Sequence, residues 1–264
     1  MRKKKLFSQF ATEGDSGFKQ PPAAIITQAN VFGSVEPLPD EYTPDKYTWE
    51  GVFARIKKGT YAKEYSIGDL VPLDLGSEGL INMQIAAFDK DDLADGSGKA
   101  HITWIAKELL PTKLRMNPYR VSNGDGTYQE GTGSIGGWEK SEMRAYIKNS
   151  IRPMLPDIVR NSIKEVRKNQ IAQDTTGVSF EQTTVEDIWI PSMNEVFGTE
   201  SMYYDLFRDT DTNRCKIIMG TETTTVWWLR DGKSATDFQF VYGTGDLGSN
   251  VASLTYRVAL GFCT

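Results

Sequence analysis

Between residues 214 and 262 the chain offers runs of alternating apolar and polar residues, at 214–219, 223–230, 237–242 and 254–262, separated by Gly, Asp and Asn turns. A period of 2 reads as strand, and strands without regularly interleaved helices indicate antiparallel pairing. That excludes a doubly wound nucleotide-binding sheet. The expectation is an α+β chain, mainly antiparallel sheet with a few helices. Two more strands are read at 81–88 and 100–107.

The helices are signalled by caps and spacing. Trp49, Val52, Phe53 and Ile56 follow i, i+3, i+4, i+7, with Thr48 to cap and Gly59 to stop. A second helix is read over 138–151, with Met143, Ile147 and Ile151 on one face and Pro153 and Pro156 ending it. Pro156 suits the first turn of a third helix carrying Val159, Ile163 and Val166. Ser192 and Glu195 form a capping box for a short helix closed by Gly198. Residues 117–137 hold six glycines and read as a long surface loop. Residues 1–45, rich in Gly and Pro without helical period, read as an extended arm for anchoring or assembly, and 46–264 as the globular domain.

Several chemistries are made improbable. The 264 residues carry a net charge of −5, whereas a nucleic-acid partner wants a basic face. The longest apolar runs fall short of the ~20 residues that cross a bilayer, so membrane insertion is not expected. Arg2, Lys3, Lys4 and Lys5 are followed by Ser8, Gln9, Thr12, Glu13 and Asp15 where an export signal needs an apolar stretch. No cleavable signal is therefore expected. Two cysteines 48 residues apart and one histidine cannot fill a zinc tetrad. Cys215 and Cys263 either pair or stay as two free, buried thiols. His101 lies in a stretch that reads as half-buried strand and is taken as structural.

Asp89, Asp91 and Asp95 precede Gly96, as hard ligands precede a glycine in a calcium loop. Counting from Asp91, Leu93 and Ile102 fall where an EF-hand needs carboxylates, so the three are calcium candidates only outside that template; the alternative is an Asx turn. Residues 131–137 precede a helix as an anion loop would, but lack the Lys-Ser/Thr ending of a P-loop. Residues 243–248 read as a turn. Glu139, Glu142, Asp187 and Glu195 stand near element ends, where a glycosidase pair would be sought. Trp227 and Trp228 point to opposite faces of one strand, and Arg230 projects with Trp228.

These residues also carry a resemblance. Residues 88–103, with Asp91-Asp92-Leu93-Ala94-Asp95-Gly96-Ser97-Gly98-Lys99-Ala100, are followed by Gly136-Gly137-Trp138-Glu139, Leu155-Pro156, Asp187-Ile188-Trp189-Ile190-Pro191-Ser192, Trp227-Trp228-Leu229-Arg230 and Gly261-Phe262-Cys263. Together they resemble an uncharacterised domain family of gut bacteria and of their phages and prophages. The ending, a Trp-rich strand followed by a hairpin and a returning last strand, resembles the C-type-lectin-like fold. Relatives of that fold include phage receptor-binding proteins and formylglycine-generating enzymes. The chain has neither the Glu-Pro-Asn nor the Trp-Asn-Asp sugar motif of calcium-dependent lectins.

The resemblance implies a non-enzymatic phage virion protein, without cofactor, assembled in the host cytoplasm. It would be a surface-displayed binding or decoration module of a head or tail appendage. Its expected partners are other virion proteins through the arm, a host-surface glycan or protein, and further copies of itself. The alternatives are a bacterial surface carbohydrate-binding module and a glycan hydrolase. Ligand binding is expected at Arg230, Asp231, Lys233, Asp237, Gln239, Tyr242 and Asn250, on loops and alternating strand positions.

Overall fold

Helix α1 (Trp49–Lys58) begins where Thr48 accepts the Gly51 amide and stops where Gly59 turns left-handed at φ 71°. Both limits follow from the caps read in the sequence. Its Trp49 and Val52 enter the core, with Phe53 and Ile56 packed against it. The computed structural model describes residues 44–199, 201–208 and 211–264. All of the expected arm but Pro44 and Asp45 lies outside them. Residues 44–264 form one unit.

The frame is a five-stranded antiparallel sheet in the order β1 (Leu70–Asp74), β2 (Leu80–Phe88), β3 (Ile102–Ala106), β12 (Gly261–Cys263), β7 (Ile188–Trp189). The last strand thus inserts between β3 and β7, and every residue of β3 is buried. Alternation along β3 then feeds two cores. Ile102, Trp104 and Ala106 join Trp49, Trp138, Trp189 and Phe262 on one side. Ile105 joins Phe207, Trp227 and Leu229 on the other. Thr103 faces that second side too, where it meets a group of buried charges.

A three-stranded sheet, β9 (Trp227–Gly232), β10 (Asp237–Val241) and β11 (Leu247–Val251), carries the Trp pair. Trp228 packs in the larger core and Trp227 in the smaller, so the chain covers both indoles. Strands β5 (Val166–Gln173) and β6 (Ser179–Glu186) form a hairpin paired over eight positions. The mixed α+β class, with mainly antiparallel sheet, is as expected.

Several elements differ from the sequence reading. Helix α2 (Tyr61–Glu64) is one extra turn. Helix α3 is short (Glu142–Tyr146), capped by Ser141, and continues as a π turn over Ile147–Ile151 before Pro153 interrupts it. The third helix, α4 (Asp157–Arg160), is a single turn, and Val166 opens β5 instead of extending it. The strand over 214–219 shrinks to β8 (Ile217–Ile218), which pairs parallel with β4 (Glu108–Leu109). The residues 243–248 read as a turn run into β11. Helix α5 (Met193–Phe197) has the expected capping box and closes at Gly198.

The 131–137 loop is held by packing. Gly137 sits at φ 60°, and a Cβ there would come within 2.3 Å of the Ala172 Cβ and 2.9 Å of Gln182 Oε1. Gly137→Ala should therefore cost about 2–3 kcal/mol, since overpacking and a left-handed non-glycine residue each cost on that order. Urea denaturation measures this, and a loss within experimental error would show that the loop can yield.

Candidate functional site

The inward face of the β5–β6 hairpin is polar: Lys168, Gln170, Gln182, Thr184 and Glu186 are all buried. Opposite it, β9 presents Arg230, and the Ser192 cap of α5 brings Glu195. Lys168 and Glu195 stand 3.2 Å apart, with the Lys168 ammonium also 3.9 Å from the centre of the Trp189 ring. Arg230 grips Glu195 with two parallel bonds, Nη1 to Oε2 at 2.6 Å and Nη2 to Oε1 at 2.7 Å.

Each group can be followed to its partners. The five N–H donors of Arg230 go to the two Glu195 oxygens, the Ile190 and Asn169 carbonyls and Gln170 Oε1. The three of Lys168 go to Asp91, Glu195 and the Tyr204 hydroxyl. Asp91 accepts from Lys168, Tyr204, Thr103 and the Cys263 thiol, which matches the roughly four lone-pair sites of a carboxylate. Glu195 accepts from Arg230 twice, from Lys168 and from the Ser192 amide. Asp231 accepts the Ile171 amide at 3.0 Å and the Met193 amide at 2.6 Å, tying the edge of β5 to the first turn of α5.

The electrostatics follow from burial and from these partners. Burial alone would raise the Glu195 carboxyl, but Arg230 and Lys168 outweigh it and hold the group well below the usual carboxylate range. For Asp231 burial prevails over Arg230, and its pKa rises. Burial, reinforced by Asp91, pushes both the Tyr204 hydroxyl and the Cys263 thiol well up, so both are neutral at physiological pH.

Above this buried group lies a cleft of about 340 Å³, with Asp91, Gln170, Glu195 and Tyr204 in its floor. One wall is the outward face of the hairpin, carrying Arg167, Asn169, Ile171 and Glu181. Asn194, Ser201 and Met202 line it too, as do Lys90 and Asp92.

The residues selected from sequence divide. Arg230 and Asp231, expected on the ligand-binding surface, are 0% and 1% exposed and belong to the interior. Their position on a strand covered on both faces is the reason. Lys233 is exposed at a turn, and Asp237 and Gln239 lie on one face of β10. Asn250 lies opposite Phe238, on the other face, and donates to the Tyr256 hydroxyl at 2.9 Å. Tyr242 is half exposed at the end of a ring series running through Phe240 to Tyr256 and Trp228. These seven do not form one surface.

The calcium candidates are also parted. Asp91 points inward to Lys168, Asp95 accepts the Ser97 amide as an Asx turn, and Asp89 accepts the Tyr61 hydroxyl. Among the described residues no three His, Cys, Asp or Glu side chains are grouped to hold a metal ion. His101 is exposed, one residue before β3, with Nδ1 3.1 Å from the Tyr61 hydroxyl. Both cysteines are free; Cys263 is buried, but Cys215 is only half-buried. Of the carboxylates considered for glycosidic chemistry, Glu142 pairs Arg115, Asp187 pairs Arg152 and Glu195 pairs Arg230.

Sequence reasoning missed Lys168, Tyr204, Thr103 and Gln170. Asp174 and Gly177 signalled the hairpin turn beside β5, but the polar inward face gave no hydrophobic period to follow.

A model of a domain of unknown function, DUF6273, matches residues 111–261. The chain belongs to the DUF6273 family. The match takes in β5, β6, α5 and β9, and hence Lys168, Glu195 and Arg230, while Asp91 and the rest of residues 88–103 precede it. No curated protein and no solved structure matches the chain.

Proposed function

We propose that this chain is a non-enzymatic binding or decoration module, displayed on a head or tail appendage of a phage virion. The observation that carries this reading is the closed hydrogen-bond account of the buried charges. The donors of Lys168 and Arg230 and the acceptor positions of Asp91 and Glu195 are occupied by one another and by neighbouring groups. Groups so engaged hold a surface rigid; a reacting group would need a lone pair or a proton to offer. The phage setting rests on the sequence resemblance, the anchoring role of residues 1–45 on their Gly- and Pro-rich composition, and the multiple copies on the avidity that display modules gain from repetition.

Tyr242, half exposed at the outer end of the ring series, favours a second reading as a surface carbohydrate-binding module. The experiment follows the chain through density-gradient purification of particles from an induced lysate. Co-purification is expected for the full chain. Deletion of residues 1–45 should leave a folded domain absent from particles. A chain recovered only from cell envelopes would favour the second reading, and loss of folding on deletion would make the arm part of the core. Release of fragments from cell-wall glycans, abolished by one carboxylate substitution, would overturn the non-enzymatic assignment.

A further inference from the structure

The outward face of β5 repeats every second residue: Arg167, Asn169, Ile171, with Val185, Thr183 and Glu181 opposite them on β6. Arg167 and Ile171 are four residues apart, about 13 Å along a strand. One end of this wall is cationic. There Arg167 is joined by Lys90, which makes no ion pair among the described residues, whereas Asp92 is neutralised by Lys99 at 2.8 Å. At the other end Glu181, opposite Ile171, has no ion pair among the described residues.

Two amides also line the cleft, Asn169 on β5 between the ends and Asn194 on α5. Asn169 uses its Oδ1 to accept the Thr183 hydroxyl at 2.7 Å, and its Nδ2 has no partner among the described residues. The Asn194 side chain makes no hydrogen bond to the described residues and keeps both a donor and an acceptor. A carboxamide offering both roles matches the N–H and C=O of a peptide unit.

We infer that this cleft binds the carboxyl-terminal end of an extended peptide of about four residues, main-chain amides on Asn169 and Asn194, carboxylate toward Arg167 and Lys90. The length follows because an extended ligand rises by about 3.3 Å per residue, as the wall does. The amino end then falls near Glu181. A glycan is disfavoured because the one aromatic residue among the described residues of the lining, Tyr204, is 1% exposed and its hydroxyl is tied to Lys168 and Asp91. A polyanion would meet Glu181.

This inference rests on the binding-module reading above. The experiment is calorimetric titration of the full chain with tetra-alanine, its carboxyl-terminal amide, its N-acetyl form and maltotetraose. Tetra-alanine should bind, with the amide about tenfold weaker for the lost charge-assisted contact and the N-acetyl form weaker by a smaller factor. Arg167→Met should narrow the difference between acid and amide, and Arg167→Met/Lys90→Met should abolish it; Asn194→Ala should weaken both by about tenfold. Asn194 makes no side-chain hydrogen bond to the described residues, whereas Arg167 Nη2 donates to the Ala94 carbonyl at 2.7 Å, so thermal melting should match the parent for Asn194→Ala and fall slightly for Arg167→Met; if Arg167→Met unfolds, Lys90→Met tests the same end.

No saturable binding of tetra-alanine up to roughly 10 mM, equal binding of acid and amide by the parent chain, or binding of maltotetraose alone would overturn the assignment. If the chain still co-purifies with particles in that event, only the ligand class has failed. Hydrolysis of bound tetra-alanine would instead support the cleft and overturn the non-enzymatic reading.

Discussion

Arg230→Met should destabilise the protein by about 3–5 kcal/mol, the range for removing one partner of a buried ion pair. For a domain of this size that corresponds to a fall in Tm of roughly 6–20 °C. The loss comes mainly from what is left behind. Glu195 loses two short bonds and keeps only Lys168 and the Ser192 amide, while the Ile190 and Asn169 carbonyls and Gln170 Oε1 lose their donor. The pH dependence distinguishes this from lost packing. Because the folded Glu195 carboxyl lies below its unfolded value, it contributes stability at neutral pH that disappears as acid protonates the unfolded chain, starting near pH 4.3. In Arg230→Met most of that contribution is already gone, so the gap between variant and parent should narrow on acidification through pH 4. Arg230→Met/Glu195→Leu should recover part of the loss, because no unpaired carboxylate remains. A single-variant cost under about 1 kcal/mol would mean that the pair is solvated.

Lys216→Met should act in the opposite direction. Lys216 is 2% exposed, its ammonium donates to the Ala106 carbonyl, and it lies 5.8 Å from the centres of the Phe207 and Trp227 rings. Burial lowers its pKa to about 7, Glu108 opposing and Lys107 adding to the shift. The unfolded chain therefore takes up this proton near pH 10, but the folded chain only near pH 7. Stability falls as pH drops through that window, at up to about 1.4 kcal/mol per unit, and is flat below it. Methionine keeps the apolar stem without the charge. At pH 7 the variant should be more stable by about 2–5 kcal/mol, and the advantage should shrink as the pH is raised to 10. Equal stability at both pH values would show that water reaches the ammonium.

Local rules were legible in the sequence to different depths. Thr48, Gly59, Ser192 and Glu195 mark helix ends because a cap is a bond within one turn, and those ends are where expected. The helix read through Val166 failed because that residue satisfies a 3.6 spacing from Ile163 and also opens a strand. The β5–β6 hairpin escaped because period 2 is normally traced by apolar residues, and here the buried face carries Lys168, Gln170, Gln182 and Thr184. Arg230 and Asp231 read as surface residues because charge is usually solvated. Inside, they are stabilised by partners 35 and 60 residues away, Glu195 and the amide of Ile171.

The linear order of residues determined the class of the fold. The turn-separated strands β9, β10 and β11 have no helix between them and pair antiparallel, and the caps and glycines set local limits with neighbours only a few positions away. Tertiary structure decided where the charges go. Asp91, Lys168, Glu195, Tyr204 and Arg230 come from five separate stretches, and only their mutual hydrogen bonds offset the cost of taking them out of water. That compensation exists between distant segments, so no local pattern records it, and the cleft above them follows from it.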